Sequence, residues 1–166
     1  MKKIFILSLF FCFASLAMAQ MPDLVLKDIH GKKVAVNTLG KKGKPVIIDF
    51  FATWCKPCLR ELNAIADVYE DWQKETGCQL VAVSIDRAQN VNKVAPLVSE
   101  NDWPFEMVLL DPNSDLQRSL SILNPPYVLI LDGKGKIVFR HNGYKDGDEK
   151  AILEALRKLK KKTVKK

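Results

Sequence analysis

The sequence predicts an α/β domain: a mixed central sheet flanked by helices on both faces, with an N-terminal β-hairpin. Three observations predict it. Val46–Phe51 and Val81–Val83 are continuous rather than alternating apolar runs, as in strands buried on both faces. Between them lies a long segment with apolar residues at three- and four-residue spacing, the helical period. Near the C-terminal end, two extended runs flank Asp132-Gly133-Lys134-Gly135, a hairpin turn. Strand–helix–strand alternation builds parallel pairs and the hairpin adds antiparallel ones.

The chain opens with Met1-Lys2-Lys3, an apolar run from Ile4 to Met18, and Ala17-Met18-Ala19 before Gln20. A charged start, a short apolar run and a small-x-small site read as a secretory signal peptide over residues 1–19, removed with Cys12. The run is short for a membrane anchor. Phe10-Phe11-Cys12 lacks the small residue expected before a lipidated cysteine. The product is then a soluble protein of the periplasm. Residues 20–156 read as one domain and residues 157–166 as a basic C-terminal tail. The 166-residue chain carries a formal charge of +7, and every charged residue from Arg157 to Lys166 is basic. A basic tail can touch anionic membrane weakly, but no aromatic interleaving or nucleic-acid motif accompanies it. It reads as a solvated, frayed helix end.

The elements follow in order. Pro22–Asp28 and Val34–Val36 flank the His30-Gly31-Lys32-Lys33 turn as a short hairpin, and 37–44 is a loop or single helical turn. The strand Val46–Phe51 contains one carboxylate, Asp49. An isolated buried carboxyl stays protonated with a raised pKa. From Pro57 to Thr76 the helix buries Cys58, Leu62, Ile65, Tyr69 and Trp72, starts on a proline and stops at Gly77. Cys78–Ile85 is the next strand, with Cys78 a small core residue. Residues 91–100 form a weaker helix that Pro96 kinks or shortens. Asn101–Pro104 turns the chain and 105–110 is extended. A short helix from Asp111 puts Leu116, Leu120 and Leu123 inward. Tyr127–Leu131 and Lys136–His141 form the late hairpin. Asp148 to about Lys160 closes the chain, with Ile152, Leu153, Leu156 and Leu159 inward. His30 and His141 read as exposed or structural.

The chemistry centres on Trp54-Cys55-Lys56-Pro57-Cys58, at the junction of the apolar strand and the long helix. Unpaired N–H groups and the positive end of the helix dipole favour a thiolate at Cys55. Such surroundings bring a thiol from a pKa of about 8.5 to roughly 7 or below. Cys58, one turn inside, can resolve a mixed disulfide. Asp49 lies six residues before Cys55, and Glu61 shares a helical face with Cys58. Both are candidates to move the Cys58 proton. A zinc site would need further ligands, and only Cys78, His30 and His141 remain, far apart in sequence. Covalent haem fails because Leu59, not histidine, follows Cys58. No metal and no cofactor is called for.

With these residues placed, the chain resembles the thioredoxin superfamily, and within it the exported TlpA-like and ResA-like thiol–disulfide oxidoreductases. The matching stretches are Gly43 through Cys58, Glu61, and Pro125-Pro126 through Asp132-Gly133. The resemblance implies a thioredoxin fold, with Cys55 the exposed nucleophile, Cys58 the buried resolving thiol, and Pro126 a cis-proline facing the pair. Trp54, Lys56, Pro57, Pro125 and Pro126 would support the site and bind substrate. Glu61 matches the acid kept by ResA-like proteins, and Asp49 the buried aspartate of thioredoxins. Carrying both departs from either pattern. Residues 119–126 lack the Gly-Val common before the proline in cytochrome-maturation members, so general disulfide reduction is favoured over a dedicated apocytochrome role. The expected partners are disulfide-containing proteins and a membrane thiol–disulfide donor for recycling, with the protein itself a monomer. The rivals are an oxidase or isomerase using the same residues, a peroxiredoxin-like peroxidase, and a non-enzymatic metal-binding or surface-interaction module. Against the peroxidase, Thr53 lies two residues before Cys55 rather than three.

Overall fold

The computed structural model describes residues 20–164. The signal peptide read over 1–19 and the last two lysines lie outside the described residues. Seven strands form one mixed sheet: β1 Val25–Asp28, β2 Lys33–Ala35, β3 Val46–Phe51, β4 Gln79–Ser84, β5 Met107–Leu110, β6 Tyr127–Leu131 and β7 Ile137–Asn142. Their spatial order is β2-β1-β5-β4-β3-β6-β7. The helices are α1 Lys56–Thr76, α2 Val94–Glu100, α3 Asp115–Ser119 and α4 Glu149–Val164. Parallel pairing joins β3 to β4 and β4 to β5, and every other pair is antiparallel.

β3 is the centre of this arrangement. All six of its residues are buried, so both of its faces are covered. Its register pairs Asp49 with Ala82 on β4 and with Val128 on β6. Side chains alternate along a strand, so Asp49 and Phe51 share a face. Phe51 meets the Trp103 ring edge-on at 5.6 Å, and the Trp103 indole N–H donates to Asn63 of α1 at 2.6 Å. Asp49 therefore points to the side covered by α1. α4 packs against α1 on that side.

The local signals held at most element ends. α1 stops where Gly77 takes a left-handed φ of 69°. The first hairpin turns on Asp28, whose Oδ1 accepts the N–H groups of His30 and Lys32. The helix expected over 91–100 is shortened, as Pro96 required: Val91–Lys93 form a 3-10 turn, and α2 starts only at Val94, which leaves Pro96 in its first turn, where no donor is needed. Two expectations need correction. α3 ends at Ser119, four residues before Leu123, which is 84% exposed rather than inward. The apolar spacing ran past the helix, which ends at Ser119 where the chain turns through Ser121 at a left-handed φ of 57°. The basic segment is not frayed at its start. α4 runs on to Val164, with the Arg157 guanidinium forked onto Glu75 at 2.5 and 2.8 Å.

Gly133 is the tightest backbone approach in the molecule's late hairpin. A Cβ there would lie 2.6 Å from the carbonyl oxygen of Gly43. Replacing Gly133 with alanine should cost about 1–3 kcal/mol, the overpacking range. Thermal unfolding checks this; a variant as stable as the parent would show that the 43–133 contact is loose.

Candidate active site

The site forms where β3 ends and α1 begins. Cys55 is the N-cap residue of α1, and its Sγ accepts the Cys58 N–H at 3.3 Å. Pro57 sits in the first turn, where a missing donor costs nothing. Cys55 and Cys58 are joined as a disulfide, with Cα atoms 5.3 Å apart. Cys58 is fully enclosed and Cys55 keeps 5% of its surface. The nucleophile expected to be exposed is thus nearly covered, because its sulfur is bonded inward and its backbone caps the helix. It is still the only half of the pair that solvent reaches. Trp54, beside it, is 63% exposed. The Pro125–Pro126 peptide bond is cis, as the resemblance implied.

The approach to the cysteines is held by a residue that the sequence analysis did not single out, just past the strand Cys78–Ile85. Asp86 is fully buried. Its carboxylate accepts the Thr53 N–H at 2.8 Å, the Thr53 hydroxyl at 2.7 Å and the Ser84 hydroxyl at 2.9 Å. Three hydrogen bonds to one buried carboxylate satisfy it and pin the turn that carries Trp54 and Cys55. The available signal was its place just past a doubly buried parallel strand, where sites in α/β sheets form.

The two candidate proton carriers, Asp49 on β3 and Glu61 on the inner face of α1, are enclosed between the sheet and α1. Asp49 and Glu61 are both fully buried, and none of their four carboxyl oxygens has a hydrogen-bond partner within the protein. Burial pushes the Asp49 pKa well above the usual carboxylate range. Burial also raises Glu61, and the nearby charges of Asp49, Asp148 and Glu149 add to it. Glu61 lies one helical turn from Cys58 on the inner face of α1. A carboxyl of ordinary acidity is a poor base for a thiol. One raised towards the thiol's own range of about 8.5 exchanges a proton with it at little cost. Two such groups in mutual reach do not both ionise, so they hold a transferable proton between them.

Cys78, the third cysteine, is buried and unpaired at the start of β4, with its thiol pKa raised by burial. It takes no place in the site. Among the described residues, no group of His, Cys, Asp and Glu side chains could hold a metal ion. A groove of about 570 Å³ opens beside Trp54, walled by Thr53, Asn90, Lys93, Pro96 and Leu97.

A cysteine pair capping a helix at the end of a central strand, with a cis-proline just before the neighbouring strand β6, defines a thioredoxin-fold thiol–disulfide oxidoreductase. Residues 18–140 match the family model described as AhpC/TSA, and the chain belongs to that family. It is similar to the thiol-disulfide oxidoreductase ResA of Bacillus thuringiensis, 28% identical over 83% of this chain and 75% of the relative. It is also similar to the thioredoxin-like protein YneN of Bacillus subtilis, at 35% identity over 75% of this chain and 70% of that protein. Among solved structures, a thioredoxin-like protein from Porphyromonas gingivalis superposes with a TM-score of 0.76. It shares 52% identity over 85% of this chain and 92% of the other.

The carboxyl pair sets a pH dependence of stability. Both folded-state pKa values are raised, so the native state holds protons that the unfolded chain has already released. Stability therefore falls as pH rises from about 4, the ordinary carboxyl value, towards the raised folded values. Asp49→Asn or Glu61→Gln should stabilise the protein at mildly alkaline pH by at least about 1.4 kcal/mol, one pKa unit's worth. The gain should vanish near pH 4. Denaturant titrations across that range test it; equal stability at alkaline pH would mean that the pair ionises freely.

Proposed function

We propose that the protein is an exported reductase of protein disulfides, acting in the periplasm through the Cys55–Cys58 dithiol. One observation carries the reading: a near-surface sulfur and an enclosed one, joined across the first turn of α1, whose inner face also carries Glu61 near buried Asp49, two carboxyls with pKa values that burial raises. Cys55 thiolate attacks one sulfur of a substrate disulfide. A bond from Cys55 to that sulfur forms, and the other substrate sulfur leaves as thiolate. Cys58 then loses its proton to Asp49 or Glu61 and attacks Cys55. The mixed disulfide breaks, the second substrate thiolate leaves, and Cys55–Cys58 closes. Two electrons pass to the substrate, and its two thiolates take up protons.

Trp54, Lys56 and Pro57 flank the attacking sulfur, and the Pro125–Pro126 segment supports the substrate's extended backbone beside it. The groove by Trp54 offers room for the flanking chain. Recycling in an oxidising compartment requires a thiol donor at the membrane. Among the described residues no helix is long and apolar enough to cross a bilayer, so that donor is a separate protein in this reading. The apolar leader read at residues 1–19 supports export. The similarity to proteins named thiol-disulfide oxidoreductase ResA supports the dithiol chemistry.

An insulin-reduction assay tests the reading. Wild type should accelerate reduction, Cys55→Ser should fall to the uncatalysed rate, and Cys58→Ser should trap a mixed disulfide through Cys55. Activity in Cys55→Ser equal to wild type would end the proposal. The reduction potential decides direction: a value near about −270 mV fits a reductase, whereas one near about −120 mV would make the protein an oxidase.

A further inference from the structure

Two groups of lysines far apart in the sequence meet at the end of the molecule away from the cysteines. β3 and β4 run parallel, and Val46 at the start of β3 pairs with Gln79 at the start of β4. The Cys55–Cys58 pair follows the other end of β3. Strand residues rise about 3.3 Å each, so the length of β3 sets the two ends roughly 17–20 Å apart. At the starting end the β1–β2 turn and the loop before β3 converge. Lys32, Lys33, Lys42 and Lys44 surround one opening of about 300 Å³, with Gln79 on its wall. The loop is held in place. The Gly43 N–H donates to the Gly133 carbonyl at 3.1 Å, and the Gln79 N–H donates to the Pro45 carbonyl at 3.0 Å. Just before β4 stands Glu75, which the Arg157 guanidinium clasps at 2.5 and 2.8 Å. Lys160 donates to the Glu75 carbonyl. The last turns of α4, with Lys158, Lys161 and Lys162, therefore lie at this same end.

Lys32, Lys33, Lys42 and Lys44 are exposed, as are Lys158, Lys161 and Lys162. Among the described residues, no ion pair uses any of them. The carboxylates that these contacts set among them are engaged elsewhere. Glu75 is held by Arg157. Glu106, on the wall of the opening, accepts the Leu80 N–H at 2.8 Å and the Gln73 side-chain amide at 2.6 Å. Asp28 is buried and accepts the N–H groups of His30 and Lys32. Positive charge is left in excess and faces water.

We propose that this lysine-bearing end rests on a bilayer surface rich in anionic lipid, with the dithiol turned to the opposite side. This rests on the exported reading above, and it keeps the protein beside the membrane donor that recycles it. Lysine suits such a contact. It is a mobile point charge that attracts headgroup phosphates without one fixed geometry, whereas a protein partner favours the rigid fork of arginine. The arginine here, Arg157, already forks onto Glu75. A nucleic acid would call for exposed aromatic rings to stack its bases. The exposed aromatic side chain, Trp54, sits at the other end beside Cys55. Each lysine close to an anionic surface strengthens binding by about fivefold, so the two groups together hold where the tail alone is weak. With the site at the opposite end, contact leaves Cys55 open to substrates and to a donor domain standing clear of the bilayer.

The protein isolated from the periplasm is sedimented with vesicles, one set of phosphatidylcholine alone and one with about a third phosphatidylglycerol as the anionic lipid. It should bind the anionic set at low salt, leave it at about 1 M salt, where the Debye length is about 3 Å, and ignore the neutral set. Lys42→Glu with Lys44→Glu should weaken binding at least about tenfold, and so should Lys161→Glu with Lys162→Glu. Insulin reduction and the thermal unfolding midpoint should stay as in wild type in both variants. Reduced protein on the vesicles should present Cys55 to dithiobis(nitrobenzoate) as fast as free protein does. Absence from anionic vesicles at low salt, equal binding to neutral ones, a Lys42 and Lys44 variant that binds like wild type, or a Cys55 shielded by the vesicle would each overturn the proposal. Tighter binding to polyglutamate than to the vesicles would assign this end to an acidic protein and overturn it as well. Wild type that fails to reduce insulin would count against the reductase reading alone, and would leave the vesicle result standing.

Discussion

The enclosure of two carboxyl groups under a helix N-terminus is the constraint around which this protein is arranged. Among the described residues, Asp49 and Glu61 have no hydrogen-bond partner, and no cation contributes to their shifted pKa values. Burying an ionised carboxylate in such surroundings is so unfavourable that the group holds its proton instead. That cost is tolerated in a domain whose net stability is small, where each unit of raised pKa represents about 1.4 kcal/mol. An apolar pair would fill the same volume without it. What the carboxyls add is a proton acceptor matched to a thiol, one helical turn from the sulfur that must be deprotonated inside the protein.

The rest of the fold keeps that arrangement in place. β3 must be central, with β4 and β6 on its two sides, for Asp49 to be sealed. α1 must start directly after β3 for Cys55 to cap it and for Glu61 to fall inward. The short turn between them is fixed from outside by Asp86, a buried carboxylate in the opposite condition. Three hydrogen bonds satisfy it, so it anchors backbone rather than trading protons. The same side chain type thus serves two roles, decided by what surrounds it. The far end of α1 is tied to α4 by the Arg157–Glu75 fork, which sets α4 across the outer edge of the carboxyl pair.

Much of this was legible in the sequence because its signals are local. The apolar run of β3, the period of α1, the capping glycine at position 77 and the Asp132-Gly133 turn each act within a few residues. The cysteine spacing located the site for the same reason. Asp49 was legible as a charge in an otherwise apolar strand, and Glu61 by its spacing from Cys58. Three features were not. Leu123 continued the apolar spacing, but α3 ends at Ser119 and the chain turns through Ser121 in a left-handed conformation, which leaves the side chain in solvent. Asp86 looked like any loop acid, since its partners Thr53 and Ser84 lie on two elements that only the parallel pairing of β3 and β4 brings together. Lys42 and Lys44 read only as part of a loop, because their convergence with the end of α4 depends on how β3, β4 and α1 are joined in space, which no local pattern encodes.

The protonation of the buried pair is directly observable. Infrared difference spectra of the oxidised protein at neutral pH should contain the carbonyl stretch of a protonated carboxylic acid, and that band should disappear in the Asp49→Asn, Glu61→Gln double variant. A wild-type spectrum showing only ionised carboxylates at neutral pH would contradict the buried proton store on which the site's chemistry depends.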